Sequence, residues 1–150
     1  MTDESLITSN TDPREKKHDW LVLRLYDMME KGELVMSDAA MEGARQFFDG
    51  ERALILRNLD RASKKLCNGF HNNQKFFRYK KGLYEIDIIG FDDSSVVGVE
   101  VKYNTGHYVR QLSRFVDYAQ GSYPSLKKKA LFYSGRSGLY QIKGKRKIPL

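Results

Sequence analysis

Two acidic residues and a lysine near the middle of the chain have the types and spacing needed for metal-assisted phosphate chemistry. Asp87 is followed by Glu100, and Lys102 comes two positions later. Two carboxylates held a few ångströms apart repel each other, and a divalent cation such as Mg²⁺ relieves that repulsion. A neighbouring lysine can stabilise negative charge that develops on a phosphate or, when neutral, help to deprotonate an attacking water. The pattern therefore points to hydrolysis of phosphate esters.

Strand alternation predicts how these side chains are positioned. Side chains two residues apart in a strand point to the same face, so Glu100 and Lys102 share one face, and Glu85 and Asp87 share one face of the strand before. The aliphatic residues between them are expected on the opposite, buried face: Ile86, Ile88, Val99 and Val101. Asp and Ser residues at 92–95 favour a tight turn, which predicts an antiparallel hairpin with Asp87 close to Glu100.

These two segments resemble a known family. Glu85-Ile86-Asp87-Ile88-Ile89 and Val99-Glu100-Val101-Lys102 are similar to motifs II and III of the PD-(D/E)XK nuclease superfamily, most of all in its Holliday-junction-resolvase-like and RecB-like members. The match is specific over these segments and extends loosely over residues 51–140 as helix, three strands, helix, strand. Ile86 stands where the family label has proline, a frequent departure in the superfamily.

The resemblance implies a fold and a metal site. The fold would be α/β, with a restriction-endonuclease-like core and extra helices at the N-terminus. Asp87, Glu100 and the backbone carbonyl of Val101 would hold Mg²⁺, for which Mn²⁺ would substitute, and Lys102 would be catalytic. Glu85 would support a second ion or form a hydrogen bond nearby.

A glutamate on the helix before the first strand often completes the metal site in this superfamily. Glu51 is the first candidate, Glu42 the alternative and Glu15 the third. An equally good interpretation of Glu51 is a favourable acid in the first turn of a helix that begins near Gly50.

RecB-like members also carry a Gln and a Tyr on the helix after the Glu-x-Lys strand. Here Gln111, Arg114 and Tyr118 fall on one helical face. Phe115 occupies the usual tyrosine position. Gln111 and Arg114 are therefore candidates for binding phosphate, and the alternative is that they are ordinary polar surface residues. Tyr118 is a weaker, supporting candidate.

Charge is distributed unevenly along the chain. Residues 1–74 carry a net charge of −2 and residues 75–150 a net charge of +9, which together give the +7 of the whole chain. From residue 127 onward there are basic residues and no acidic one: Lys127, Lys128, Lys129, Arg136, Lys143, Lys145, Arg146 and Lys147. A polyanion is the natural partner, and we predict nucleic acid binding through Lys127, Lys128, Lys129 and Arg136.

Composition also excludes several classes of protein. Cys67 is the only cysteine, which excludes an internal disulfide and a multi-cysteine zinc site. No apolar run approaches the roughly 18 residues that span a bilayer, and the N-terminus lacks a signal pattern, so we expect a cytoplasmic protein without a membrane partner. The histidines, His18, His71 and His107, lack ligand-like spacing and are interpreted as ordinary polar residues.

Helix and strand signals predict one domain over residues 13–150, and the resemblance implies that this domain is nuclease-like. Residues 1–12 are expected to be disordered, 13–49 to form a helical extension, 50–142 the core, and 143–150 a basic tail. Asp12 followed by Pro13 predicts a helix that runs to Gly32, and Ser37 predicts the start of another with a break near Gly50. Strands are expected at 75–79, 84–90, 97–102, 130–133 and 139–142, with a helix at 106–120.

The sequence therefore predicts a Mg²⁺-dependent nuclease acting on DNA, for example a structure-specific endonuclease of repair or recombination. Such a small domain offers one strand-sized cleft, so cutting both strands of a duplex would require a homodimer. Two alternatives remain open. One is a weak or inactive nucleic-acid-binding module of a larger repair or defence assembly, and the other is an RNA-directed nuclease.

Overall fold

A mixed sheet with helices on both faces organises the chain, so the α/β prediction is confirmed. The computed structural model describes residues 3–69, 75–77, 86–91, 94–104 and 106–150. The helices are α1 (Asp3–Thr8), α2 (Pro13–Lys31), α3 (Asp38–Phe47), α4 (Arg52–Gly69) and α5 (Val109–Ser122). The strands are β1 (Lys75–Phe77), β2 (Ile88–Phe91), β3 (Ser95–Lys102), β4 (Lys127–Ser134), β5 (Gly138–Lys143) and β6 (Arg146–Pro149).

The strands form a six-stranded sheet in sequence order, β1-β2-β3-β4-β5-β6. Strands β2 and β3 pair antiparallel, with Ile88 opposite Val99, so the predicted hairpin is confirmed. Strands β3 and β4 pair in parallel, with Glu100 beside Phe132, and α5 makes the crossover between them. Since a parallel pair requires a long connection, the helix after the Glu-x-Lys strand is a consequence of this topology.

Apolar residues cover both faces of the sheet. On the face of α2 and α4, a large cluster includes Trp20, Ile55, Val99 and Val101. On the face of α5, a smaller cluster includes Ile86 along with other residues of the strands and of α5: Val96, Leu112, Phe115, Ala119, Ala130 and Phe132. Strand β3 is therefore buried on both sides over most of its length, as in other sheets that contain parallel strands.

One expectation about alternation is wrong. Ile86 was expected on the same face as Ile88, but Ile86 packs in the α5 cluster and Ile88 in the α2 and α4 cluster. The chain bends at Asp87, just before β2 begins. Strict alternation fails at this bend, so residues 86 and 88 point to different layers.

Local signals place the helix starts and one helix end as expected. Asp12 is the N-cap of α2, and its side chain accepts a hydrogen bond from the backbone N–H of Arg14. Gly32 ends that helix with φ at 77°, a left-handed conformation that glycine adopts without steric cost. Ser37 caps α3 by accepting from the N–H of Ala40.

Both chain ends correct the sequence-based expectations. Residues 1–12 were expected to be disordered, but residues 3–8 form α1, where Ile7 is buried and Glu4 pairs with the buried guanidinium of Arg24. The expected tail at 143–150 contains β6, which pairs antiparallel with β5. Strand β5 is consequently an interior strand and not an edge strand.

Several expectations concern residues outside those that the structure describes. They include Glu85, the turn at residues 80–82, and Asp92 and Asp93 of the hairpin turn. None of the described helices is long and apolar enough to cross a membrane.

Close packing between β3 and α5 depends on Gly98. A Cβ atom at this position would lie 2.6 Å from the ring of Phe115, well inside van der Waals contact. Phe115 is fully buried, so the ring has no free space to move into. The absence of a side chain at Gly98 lets α5 lie against the strand that carries Glu100 and Lys102.

Candidate active site

The bend before β2 brings the carboxylate of Asp87 to strand β3. The Asp87 Oδ2 atom accepts a hydrogen bond from the backbone N–H of Val101 at 2.8 Å. Val101 lies two residues beyond Val99, the last residue of β3 that pairs with β2. The Asp87 carboxylate therefore accepts the hydrogen bond that a backbone carbonyl would accept if the pairing of β2 with β3 continued to Val101. This hydrogen bond fixes the position of the carboxylate.

Glu100 is a buried acid next to Asp87. The residue is 4% exposed, and its Oε2 atom has no hydrogen-bond partner among the described residues. Burial, followed by the charge of Asp87, raises the pKa of Glu100 to about 9. The Lys102 Nζ atom lies 4.0 Å from the other carboxylate oxygen, Oε1. The structure therefore brings the three residues of the predicted motif together.

His18, which the sequence analysis interpreted as an ordinary polar residue, belongs to this site. Its Nε2 atom lies 3.0 Å from Asp87 Oδ1, and its Nδ1 atom lies 3.1 Å from Asp19 Oδ1. Burial would lower the pKa of His18, but the hydrogen bonds and charges of Asp19 and Asp87 outweigh it and raise the pKa to about 10. The imidazolium form therefore holds a positive charge against Asp87.

The position of His18 on α2 offered one signal that sequence reasoning did not use. Within about one turn of that helix lie Glu15, His18 and Asp19. Each offers one possible metal-ligand atom, and these three atoms lie within 4.8 Å of one another. All three residues are partly buried. A histidine flanked by acids on one helical face was therefore a candidate ligand set, and Glu15, the third choice for the helix glutamate, belongs to it.

Glu51, the first choice for the helix glutamate, makes contacts one residue beyond the motif. It accepts a hydrogen bond from the hydroxyl of Tyr103, and its Oε2 atom lies 3.7 Å from Arg136 Nε. The amino group of Lys17 lies 4.4 Å from the centre of the Tyr103 ring. Glu51 therefore buttresses the segment that follows Lys102, while the alternative, Glu42, pairs with Arg45 on the exposed face of α3.

The expected phosphate-binding residues on α5 occupy its N-terminal half. Gln111 is partly buried, and its Oε1 atom has no hydrogen-bond partner among the described residues. Arg114 is exposed on the same helix. Tyr118 lies further along the helix and packs edge-on against Tyr123, with ring centroids 6.1 Å apart.

The lysine run does not lie beside the carboxylates. In the parallel pairing of β3 and β4, Lys127 lies opposite Ser95, whereas Lys102 lies opposite Ser134. Lys129, the nearest of the three lysines, pairs with Val97, which lies three residues or about 10 Å along β3 from Glu100. Arg136, in contrast, follows β4 at the end near Lys102. Its backbone N–H donates a hydrogen bond to the backbone carbonyl of Tyr103 at 3.1 Å.

Comparisons with protein-family models, with curated proteins and with solved structures find no match to this chain. The geometry of Asp87, Glu100, Lys102 and His18 is therefore the basis for a functional assignment.

Proposed function

We propose that this chain is a metal-dependent nuclease that hydrolyses phosphodiester bonds, with DNA as the preferred substrate. The observation that carries the proposal is the adjacent, buried pair of carboxyls, Asp87 and Glu100, beside the amino group of Lys102. Glu100 holds its proton to a pKa of about 9 because it is buried and faces another carboxylate. Such a pair favours a cation that would relieve the repulsion.

The donor set fits a divalent metal. Glu100 Oε2 is a buried oxygen without a hydrogen-bond donor, and a cation would satisfy it. Asp87, Glu100 and the carbonyl of Val101 would supply the oxygen ligands that Mg²⁺ prefers. His18 Nε2, already 3.0 Å from Asp87, would add a nitrogen ligand once it loses its proton, a ligand that first-row transition metals accept well.

When bound, Mg²⁺ or a substituting Mn²⁺ would polarise the phosphate and lower the pKa of a nucleophilic water. The residues of the chain have separate tasks. The N–H of Val101 holds Asp87 in place, and Asp87 together with Glu100 fixes the charge of the site. The amino group of Lys102 is 32% exposed at the edge of the site, where it would stabilise the negative charge that develops on the phosphate.

The order of elements supports the same proposal. A helix, three antiparallel strands, a helix and a further strand follow one another from α4 to β4, which is the order that the resemblance to PD-(D/E)XK nucleases implies for a restriction-endonuclease-like core. The candidate residues lie at one end of β3, where β2 has already ended and the chain bends away. Lys102, whose side chain is 32% exposed, forms the solvent-accessible edge of the site at this end of β3.

The proposal is tested by cleavage of labelled linear, nicked, flapped and four-way-junction DNA and of structured RNA. Each substrate is incubated with Mg²⁺, with Mn²⁺ or with a chelator. The variants are Glu100→Gln and Lys102→Met, and the matched controls are Glu30→Gln and Lys31→Met, which change exposed residues of α2. We expect metal-dependent cutting that each site variant lowers by about 100-fold or more, because each removes a group that acts on the transition state.

The outcomes distinguish the alternatives. Cutting of RNA in preference to every DNA form would favour the RNA-directed nuclease. A binding module without turnover is favoured by one observation, the contact of His18 with Asp87, because an imidazolium there already neutralises the carboxylate. Tight binding without metal-dependent cutting of any substrate would support that module and refute the nuclease.

A further inference from the structure

Helix α4 presents a strongly basic surface that the candidate active site does not use. Its exposed residues include five basic side chains, Arg52, Arg57, Arg61, Lys64 and Lys65, against one acidic side chain, Asp60. Asp60 is engaged with Lys64, at 3.1 Å. A surface with this charge balance attracts polyanions.

Four of these basic residues form one stripe, which we call the α4 stripe: Arg57, Arg61, Lys64 and Lys65. Their spacing of i, i+4, i+7 and i+8 places them on one side of the helix. The apolar side of α4, with Ile55, Leu59 and Leu66, packs in the core. The stripe therefore faces solvent over two turns of helix.

A groove of about 360 Å³ borders the α4 stripe. Arg61, Lys64 and Lys65 form the helix side of this groove, and residues from Ser137 to Tyr140 form the opposite side. No acidic side chain lines it within the part of the chain that the structure describes. The stripe therefore forms the positively charged side of a groove whose opposite side carries no charged side chain among the described residues.

The start of α4 lies at the same end of β3 as the candidate active site, on the sheet face opposite to the side chain of Glu100, which lies beside Phe132 of the α5 cluster. Glu51, just before that helix, contacts Tyr103 and Arg136, and Tyr103 directly follows Lys102. From Glu51 to Lys65 the helix rises by about 21 Å at 1.5 Å per residue. This length corresponds to about six base steps at 3.4 Å each.

We propose that the α4 stripe binds the sugar-phosphate backbone of the nucleic acid whose scissile phosphate lies at Asp87, Glu100 and Lys102. The inference rests on the proposed nuclease function. The stripe lies on the helix that begins just after Glu51, which contacts Tyr103 and Arg136 at the end of β3 that carries Lys102. A nucleic acid is favoured over a membrane surface because membrane-bound helices combine basic residues with exposed large apolar ones. The exposed large apolar residues of the described chain lie outside α4.

The test measures binding by the full-length chain in a Glu100→Gln background, so that no substrate is cut. The stripe variant is Arg61→Gln/Lys65→Gln, and the control is Lys31→Gln/Arg45→Gln, which removes the same charge from exposed positions on α2 and α3. Fluorescence anisotropy with labelled duplex and single-stranded DNA is recorded over a range of salt concentrations without divalent metal. A second stripe variant, Arg57→Gln/Lys64→Gln, covers the case in which the first does not fold.

We expect the stripe variants to bind DNA at least about tenfold more weakly than the control. The slope of log K against log salt should fall by about 2 for duplex DNA, since each lost phosphate contact removes about 0.9. Equal affinity and equal slope in the stripe and control variants would overturn the inference. Loss of binding to anionic lipid vesicles with unchanged DNA affinity would also overturn it.

Failure of this inference and failure of the proposed function are distinguishable. Metal-dependent cutting by the unmodified chain together with unchanged DNA affinity in the stripe variants refutes the α4 stripe alone. Weakened DNA binding in the stripe variants, in a chain that cuts no substrate, supports the stripe as a nucleic-acid surface and refutes the nuclease.

Discussion

His18 on α2 and Asp87 before β2 are 69 positions apart in sequence, yet His18 Nε2 lies 3.0 Å from Asp87 Oδ1. This hydrogen bond connects α2 to one oxygen of the Asp87 carboxylate. The other oxygen accepts a hydrogen bond from the backbone N–H of Val101 in β3. Asp87 is therefore fixed from two directions, and His18 supplies its positive partner.

Removal of His18 should destabilise the metal-free protein. His18→Ala leaves Asp87, whose side chain is 7% exposed, without its positive partner. Loss of one member of a largely buried pair costs about 3 kcal/mol. We expect a loss of this order in urea unfolding with chelator present, partly recovered when Mn²⁺ is added, because the cation takes over the role of the imidazolium. His107→Ala, at an exposed position, is the control, and equal loss in both variants would contradict the prediction.

The stability of the metal-free protein should fall as the pH rises. The pKa of His18 is raised from 6.5 to about 10, so its contribution is complete below pH 6.5 and is lost as the pH rises towards about 10. The pKa of Glu100 is raised from 4.5 to about 9, so the folded state also holds this proton more tightly and loses stability over that range. Each group contributes a slope of at most about 1.4 kcal/mol per pH unit with the same sign.

Glu100→Gln tests that assignment because glutamine stays neutral at every pH. Urea unfolding at pH 5 to 9 with chelator should show a shallower decline for this variant than for the unmodified chain, and higher stability at pH 9. Glu30→Gln, on the exposed surface of α2, should leave the profile unchanged. A Glu100→Gln profile as steep as that of the unmodified chain would mean that Glu100 does not hold its proton in the folded state.

Gly98→Ala should weaken the fold at the contact between β3 and α5. The new methyl group would lie 2.6 Å from the Phe115 ring, and such overpacking costs about 1 to 3 kcal/mol. The control is Gly121→Ala in α5, where nothing lies within 4 Å of an added Cβ, and it should stabilise the helix slightly. Thermal unfolding compares the two variants, and a higher melting temperature for Gly98→Ala would contradict the packing argument.

Glu51→Gln separates a supporting role from a catalytic one. Glu51 contacts Tyr103 and Arg136, which lie beyond the motif. We therefore expect the cleavage rate of the variant to fall by less than about tenfold. This fall corresponds to a loss of less than about 1.4 kcal/mol of transition-state stabilisation. The Glu100→Gln variant in the same assay sets the scale. A loss as large as that of Glu100→Gln would place Glu51 among the groups that touch the reacting atoms.

Local patterns predicted the elements that carry local signals. Asp12 before Pro13 and Ser37 before α3 are caps whose hydrogen bonds lie within a few residues, so sequence alone was sufficient. The hairpin that brings Asp87 to Glu100 followed from alternation and a turn, which are also short-range features. The chemistry of the motif was readable for the same reason.

The features that sequence reasoning missed depend on long-range packing. The contact of His18 with Asp87 requires α2 to pack against the sheet with His18 beside the bend that precedes β2, and the residues around His18 do not encode that placement. The bend at Asp87 interrupts an alternation that otherwise continues through Ile88. The lysines at 127–129 were predicted to bind nucleic acid, but their position relative to the carboxylates depends on the parallel register of β4, which pairs them with residues 95–97 of β3.

Strand β6 also has a consequence for how the molecules behave towards one another. Among the described strands, its neighbour is β5, and its sequence contains Arg146, Lys147 and Pro149. Positive charges and a proline on an outer strand discourage the addition of a strand from another molecule. Aggregation through this edge is therefore unfavourable, and two copies that cut both strands of a duplex would associate through another surface.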